Sequence, residues 1–349
     1  MTSNLLETAP RPLLAFVRLG RPKFLFQSML VVAAGVTIAV HSGHQASLGW
    51  YLVTLLFAWC THLMTHYCNE YFDLEADRAN AAPTSWTGGS RILVGGHLRP
   101  EVSLGAAFVL LFVGVLLLAL LPSLETRLVA TAIIALAWLY TAPPLRLNYH
   151  GLGEVSCALV LYGLGPLLAC VVQAGTIDTA GLGYVGVLFV FQFLRMAIMN
   201  LSDIEGDRAT GKRTLAVLLG AAGLVRLFAA GQLVGYAAIA LLLVTGVIPV
   251  SAGLLMLATA PVPIWVTRQL TTGALAEPRR ANAVTFWASM HMPLTSSSII
   301  VGLLVDLGVH GGRLWQPWLA VVGATFLIFG TWLVRAAQTN RAGAPSPAG

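Results

Sequence analysis

Apolar runs of about 20 residues recur from end to end of this chain, and no other feature constrains its fold so tightly. Ten can be marked, at about 24–41, 49–68, 103–121, 124–141, 154–174, 180–200, 221–246, 248–267, 282–306 and 315–336. As helices, runs of this length cross a hydrocarbon core roughly 30 Å thick. They are too long and too evenly apolar for the alternating strands of an outer-membrane barrel. Composition agrees. Only 10% of the 349 residues are charged, against roughly 25% in soluble domains, too few to cover a water-facing surface. The expected fold is all-α: a polytopic transmembrane bundle of nine to ten spans around a central cavity that opens to the cytoplasmic side.

The basic residues orient the bundle. With ten spans and an inside N-terminus, 16 of the 20 Lys and Arg fall on one side, and only Arg127 and Arg313 on the other. Arg195 and Arg226 lie within spans. Positive charge marks the cytoplasmic face, so both termini are expected there. The first apolar run lacks a small-residue cleavage site and is expected to stay as a span. The chain then divides into a cytoplasmic segment over 1–23, a membrane domain over 24–336, and a disordered tail over 337–349 rich in Ala, Pro and Gly. Cys60, Cys68, Cys157 and Cys170 show no CxxC spacing and read as small buried side chains. The net charge of +6 comes without an aromatic-interleaved basic patch, so nucleic acid is not an expected partner.

Against this apolar background one acidic heptad appears twice, DLEADRA from Asp73 and DIEGDRA from Asp203. Seven of the 14 acids crowd there: Glu70, Asp73, Glu75 and Asp77, then Asp203, Glu205 and Asp207. Both stretches follow a span on the same side of the membrane. If the spans stay helical, Asp73 and Asp77 share one face, as do Asp203 and Asp207, while Glu75 and Glu205 point elsewhere. Asn69 and Asn200 extend those faces. Two facing carboxylate pairs repel unless cations lie between them, and oxygen-only ligands suit Mg²⁺. Solvated loop acids are the plainer alternative, but a near-identical pair at matching positions argues against it. Basic residues follow closely: Arg208, Lys212 and Arg213 after the second heptad, and Arg91 in the glycine-rich GGSRILVGGHLRP after the first. Metal-holding acids beside bases are an arrangement for gripping a diphosphate. The alternative is topogenic charge at loop ends.

NEYFDLEAD from Asn69, NLSDIEGDRATGKRTLAV from Asn200, RLGRPKFLF from Arg18 and YTAPPLRLNYHGLGE from Tyr140 together resemble the UbiA superfamily of intramembrane prenyltransferases. Within it, the wording most resembles 1,4-dihydroxy-2-naphthoate prenyltransferases of menaquinone biosynthesis. The resemblance covers about 16–220. It implies that Asp73, Asp77, Asp203 and Asp207 hold Mg²⁺ on the diphosphate of an isoprenyl donor, with Asn69 in support. It also implies that Lys212 and Arg146 contact phosphate oxygens and that Arg21 and Lys23 lie at the same mouth. There are departures. Such chains commonly have nine spans, and Glu70 stands where many relatives have Asp. His62 and His66 replace amides on the stripe that carries Asn69, Asp73 and Asp77. These histidines are cavity contacts to an acceptor or a cation, satisfied structural residues or, least of the three, a zinc pair.

The implied chemistry is ionisation of the donor to an allylic cation, captured by an electron-rich ring carbon of an aromatic acceptor. Tyr140 is either a ring that stabilises that cation or a member of the interfacial aromatic belt. The run Thr295–Ser298 after His291 either lines the acceptor side or joins helices. A terpene cyclase on the same scaffold is the alternative, with an internal double bond capturing the cation. A transporter fits less well, because the acids lie at span ends and not at the midplane.

Overall fold

Each of the ten runs becomes a helix in a computed structural model of the chain, which describes residues 11–311 and 316–340. They are α1 (Leu25–His41), α2 (Leu48–Phe72), α3 (Pro100–Leu120), α4 (Leu124–Leu139), α5 (Gly153–Ala174), α6 (Thr179–Met199), α7 (Leu215–Val244), α8 (Val250–Thr271), α9 (Pro278–Val309) and α10 (Gln316–Thr339). Among the described residues, nine helices are long and apolar enough to cross a membrane. The one that falls short is α4, whose 16 residues reach only about 24 Å. Arg313 and Arg341, used in orienting the chain, lie outside the described residues. So does most of the expected disordered tail, although α10 stays helical to Thr339, past the expected end of the membrane domain at 336.

Local chemistry sets the ends. The hydroxyls of Ser47, Ser123 and Thr214 and the carboxylate of Asp178 accept backbone N–H groups at the starts of α2, α4, α7 and α6. Pro100 and Pro278 sit in the first turns of α3 and α9, where a missing N–H costs nothing. The turn Thr245–Pro249 separates α7 from α8. Within α5, Leu159–Leu164 widens into a π-helical turn just ahead of Pro166, which has no N–H to give to the turn behind it.

Helix α1 is the axis of the bundle. Its most apolar window is 78% buried, against 17% for α3 and 22% for α7 and α10. Val31 and Ile38 join the core formed with α5–α9, while Leu30, Val32 and Val36 join a second core with α2 and α10. The outer helices expose large apolar side chains such as Phe112, Leu116, Leu233 and Leu327. Such surface is unfavourable in water by roughly 25 cal/mol per Å² and neutral in lipid. Helices α1 and α5 approach so closely that a side chain at Gly35 would run into the backbone carbonyl of Pro166 and the methyl of Ala169. Neither neighbour can move aside alone. Gly35→Ala is therefore expected to destabilise the detergent-solubilised protein by about 1–3 kcal/mol. Gly186→Ala on α6, where a Cβ meets open space, is expected to be neutral or to stabilise by up to about 1 kcal/mol. Thermal unfolding of the two variants beside the parent checks the contrast.

Candidate active site

The two acidic heptads meet at one end of the bundle. Neither span continues straight through its motif, contrary to the expectation of an unbroken helix. Helix α2 stops at Phe72, Asp73 turns at φ −98°, ψ 6°, and a short helix Leu74–Ala79 follows. Helix α6 tightens into the 3₁₀ turn Asn200–Asp203, Asp203 turns at φ −106°, ψ 0°, and a short helix Ile204–Ala209 follows. The first aspartate of each motif thus adopts nearly the same bend, in the sparsely populated region between helix and strand. The bend at Asp73 is slight enough to keep its N–H on the Asn69 carbonyl at 2.8 Å, and the Asp77 N–H on its own carbonyl at 2.9 Å. The two short helices lie side by side: a Cβ on Gly206 would touch the Ala76 carbonyl and the Asn80 backbone.

Between them lies a polar chamber of about 740 Å³ of non-atom space, part of it open to solvent. Asp73, Asp77, Asp203 and Asp207 all line it, with Asn69, Asn80, Asn148, Asn200 and Lys212. Lys212 ties the two motifs together, its Nζ 2.9 Å from Asp73 Oδ2 and 3.6 Å from Asp207 Oδ1. Amides donate to aspartates of both motifs. Asn148 donates to Asp73 Oδ2 at 3.1 Å, Asn69 donates to the same oxygen, and Asn80 donates to Asp203 Oδ1 at 2.6 Å. The Thr214 hydroxyl donates to Asp207 Oδ2 at 3.2 Å. Asp77 packs against Gly89, whose φ of +78° favours glycine and where a side chain would collide with the carboxylate.

Above the chamber a larger, mostly apolar cavity runs into the bundle, with about 1210 Å³ of non-atom space, part of it open. Arg21, Asn69, Trp86, Tyr140, Met196 and Met199 line both spaces and form the seam between them. Arg21 forms an ion pair with Glu70, which is 2% exposed and also accepts the Ser90 N–H at 2.6 Å and its hydroxyl at 2.7 Å. Glu70 is thus a clasp: it fixes Arg21 at the seam and holds the loop that follows the first motif. That loop is pinned from the far end of the chain as well. Ser85 N–H donates to Asn282 Oδ1 at 3.0 Å, and the Trp86 indole donates to Asn340 Oδ1 at 3.3 Å. Helix α10 therefore reaches the site through Asn340.

The other predicted residues take varied positions. His62 and His66 line the apolar cavity, stacked at 4.8 Å between centroids, with His62 Nδ1 bonded to the Ser28 hydroxyl at 2.5 Å. Asn200 faces the chamber but donates to Glu154 at 2.8 Å, and Glu154 also accepts the Leu215 N–H at 2.9 Å. Arg91 donates to the Asp77 carbonyl, and Arg146 lies 3.6 Å over the Tyr149 ring with a bond to the Phe72 carbonyl at 3.4 Å. Both brace the first motif from behind. Lys23 bonds the Ser85 carbonyl and lies 4.6 Å over Trp86. Arg208 is exposed and borders neither space. The run Thr295–Ser298 borders neither cavity, and Thr295 and Ser298 bond back to their own helix. Thr295 and Ser296 are fully buried, and the helix that carries them packs on α1 and α8. The sequence reading missed Asn80, Asn148, Glu154 and Trp86. Asn148 lay in plain view within YTAPPLRLNYHGLGE, and Asn80 three residues beyond Asp77.

Four aspartates thus face one lysine, since Arg21 is already matched by Glu70. Burial pushes the Asp77 carboxyl up to about 7, with Glu70 and Asp73 adding to the rise and Arg21 and Lys212 opposing it. Burial alone would lower Lys212, but Asp73 and Asp207 outweigh it and hold the ammonium above the ordinary lysine value. Among the described residues, no three His, Cys, Asp or Glu side chains converge as a ready-made metal cage. Carboxylates spaced around a chamber, with charge to spare, fit a cation that keeps its waters and takes only one or two carboxylates at a time, as Mg²⁺ does. A carboxyl near 7 when folded, against 3.8 as its ordinary value, binds more protons folded than unfolded between those limits, so stability is lost as pH rises through that window. Chelator-treated protein is expected to lose thermal stability from about pH 4 to pH 7. Asp77→Asn is expected to flatten that slope, and added Mg²⁺ to restore stability at the alkaline end. Unfolding temperatures across pH measure all three.

A model of the UbiA prenyltransferase family matches residues 28–290. The chain is 33% identical over 248 residues to a 1,4-dihydroxy-2-naphthoate octaprenyltransferase of Mycobacterium leprae, covering 69% of this chain and 77% of that one. It is 30% identical over 210 residues to a digeranylgeranylglyceryl phosphate synthase of Thermococcus gammatolerans, covering 59% and 69%. Its fold is similar to that of a UbiA homolog from Archaeoglobus fulgidus bound to GPP and Mg²⁺, with a TM-score of 0.57 and 14% identity over 82% of this chain and 99% of that one. An all-helical bundle of membrane-crossing helices, the paired acidic motifs and a family match across three quarters of the chain lead to one conclusion: the protein belongs to the UbiA prenyltransferase family and is an integral, multi-pass membrane enzyme.

Proposed function

We propose that the enzyme transfers an isoprenyl group from its diphosphate to an aromatic acceptor of the 1,4-dihydroxy-2-naphthoate type, with Mg²⁺ held among Asp73, Asp77, Asp203 and Asp207. One observation carries the reading: a polar chamber walled by both acidic motifs opens across a narrow seam into an apolar cavity. A diphosphate fits the first and an isoprenyl chain the second, which puts the bond between them at the seam. The named relative from Mycobacterium leprae favours the naphthoate acceptor. The polar groups of His62, His66 and Ser28 in the apolar wall favour an acceptor over internal cyclisation.

Magnesium, when bound, supplies the positive charge that the four aspartates lack and the departing diphosphate needs. Lys212, held between Asp73 and Asp207, would offer its ammonium to phosphate oxygens of a donor in the chamber. Arg21, anchored by Glu70, presents its guanidinium at the seam, and Asn69 and Asn148 keep Asp73 oriented. The donor C1–O bond breaks with its electron pair leaving on the diphosphate. A ring carbon of the acceptor forms the new C–C bond and then loses a proton, or its carboxyl group as CO₂. Tyr140, on the seam, offers its ring face to the allylic cation. The apolar cavity wall keeps water from that cation. The distribution of Lys and Arg supports a site facing the cytoplasm in the cell membrane, within a membrane domain over 24–336.

Asp73→Asn and Asp203→Asn are each expected to lower prenyl transfer at least about 100-fold, and Lys212→Met by about 10²–10³-fold. Glu75→Gln is the control, because Glu75 is exposed and pairs only with Arg78 at 2.6 Å. Mass spectrometry of prenylated 1,4-dihydroxy-2-naphthoate, over a panel of isoprenyl diphosphates with Mg²⁺, reads the rates. Cyclic products formed without acceptor, or transfer that survives Asp73→Asn, would refute the assignment.

A further inference from the structure

Helix α6 carries a single charge between its ends, Arg195. It is 6% exposed. Its guanidinium donates to Gln192 Oε1 at 3.3 Å and to the Ser289 hydroxyl at 3.2 Å, both neutral groups, and its Nε has no partner. Among the described residues it forms no ion pair. Most buried cations are matched by an acid, because an unmatched one costs several kcal/mol. Arg195 is not matched by the protein, and it borders the apolar cavity.

The same cavity holds other unmet polar atoms. Gln27 Nε2, Thr54 Oγ1 and His66 Nε2 are buried without hydrogen-bond partners, and all three residues line it. Gln27 Nε2 and Arg195 Nε can only donate. What is missing is therefore an acceptor of hydrogen bonds, and beside Arg195 an anionic one. The donor does not supply it. An isoprenyl tail has no acceptor atoms, and the diphosphate belongs with the acids and Lys212. Arg195 lies on α6, more than a full turn before the 3₁₀ turn that ends at Asp203, and of the two spaces it borders only the apolar one. A phosphate dianion would meet only one cation here. A carboxylate has one charge and two coplanar oxygens, which match the guanidinium fork. Phe24, His66 and His62 stack in sequence in the same wall and give it aromatic character.

We propose that Arg195 is the anchor for the carboxylate of the aromatic acceptor, and so makes the enzyme select ring acids over phenols that lack the acid. This rests on the aromatic-acceptor reading above and adds its polar handle. Arg195 binds; the bond making and breaking occur at the seam.

The test uses the full-length protein in nanodiscs and two unreactive-to-oxidation probes, 1-hydroxy-2-naphthoate and 1-naphthol, which differ only by the carboxylate. Quenching of tryptophan fluorescence gives their affinities. The parent is expected to bind the acid at least about ten-fold tighter than the naphthol. In Arg195→Gln that ratio should collapse to about one, and in Arg195→Lys, which keeps the charge without the fork, it should fall part of the way. Should Arg195→Gln fail to fold, the Arg195→Lys ratio decides. A parent without preference, or a ratio that neither variant moves, overturns the proposal. Equal loss for both probes does so too, since it marks a structural role. Transfer assays with 1,4-dihydroxy-2-naphthoate separate the two readings. Probe discrimination that depends on Arg195 without any transfer upholds the carboxylate site and removes the transferase assignment. Transfer with an Arg195-independent ratio does the reverse.

Discussion

Lys212, set between Asp73 and Asp207, is the contact on which the polar end of this membrane protein depends. Four aspartates are drawn from two helix ends that have no apolar reason to meet. Left alone they would push those ends apart, because burial leaves their repulsion only partly screened. One ammonium bridges the gap, three asparagines and a threonine donate to Asp73, Asp203 and Asp207, and the surplus of negative charge stays. That surplus is what the proposed Mg²⁺ would neutralise. A fully neutralised cluster would be more stable and would attract nothing.

The seam between the wet chamber and the dry cavity divides the work by solvent. Ionised groups and amides stand on one side, and aliphatic and aromatic walls on the other. The residues shared by both sides are few: two methionines, Met196 and Met199, and four side chains with a polar end and an apolar body or stem, Arg21, Asn69, Trp86 and Tyr140. Arg21 and Trp86 are held by contacts from distant parts of the chain, through Glu70 and Asn340. The final helix, which packs little of its own surface, thereby steadies a ring at the centre of the site.

Most of the architecture was legible in the sequence, because in a bilayer length and apolarity nearly decide what a segment becomes. The ten runs all form helices, and the doubled heptad located the chamber. What stayed hidden was the bend at Asp73 and Asp203, since helical spacing says nothing of a single residue leaving the helix. The partners of the acids were hidden too. Asn80 and Asn148 look like loop residues until the fold brings them to Asp203 and Asp73, and Glu154 like an isolated acid at a span end. Arg208 misled in the other direction, being next to Asp207 in sequence yet turned to solvent. Adjacency along a short helix does not mean a shared face.

Asn80 follows the first motif and holds an aspartate of the second, while Lys212 follows the second and holds an aspartate of the first. Neither half of the chain therefore contains a finished site. During synthesis, the segment through Asp77 enters the membrane some 130 residues before its counterpart, and its acids wait with no lysine and no partner helix. The chamber closes only once the stretch up to Thr214 has been threaded and folded back. A chain stalled before that point thus has the spans to lodge in the bilayer but only one wall of the chamber.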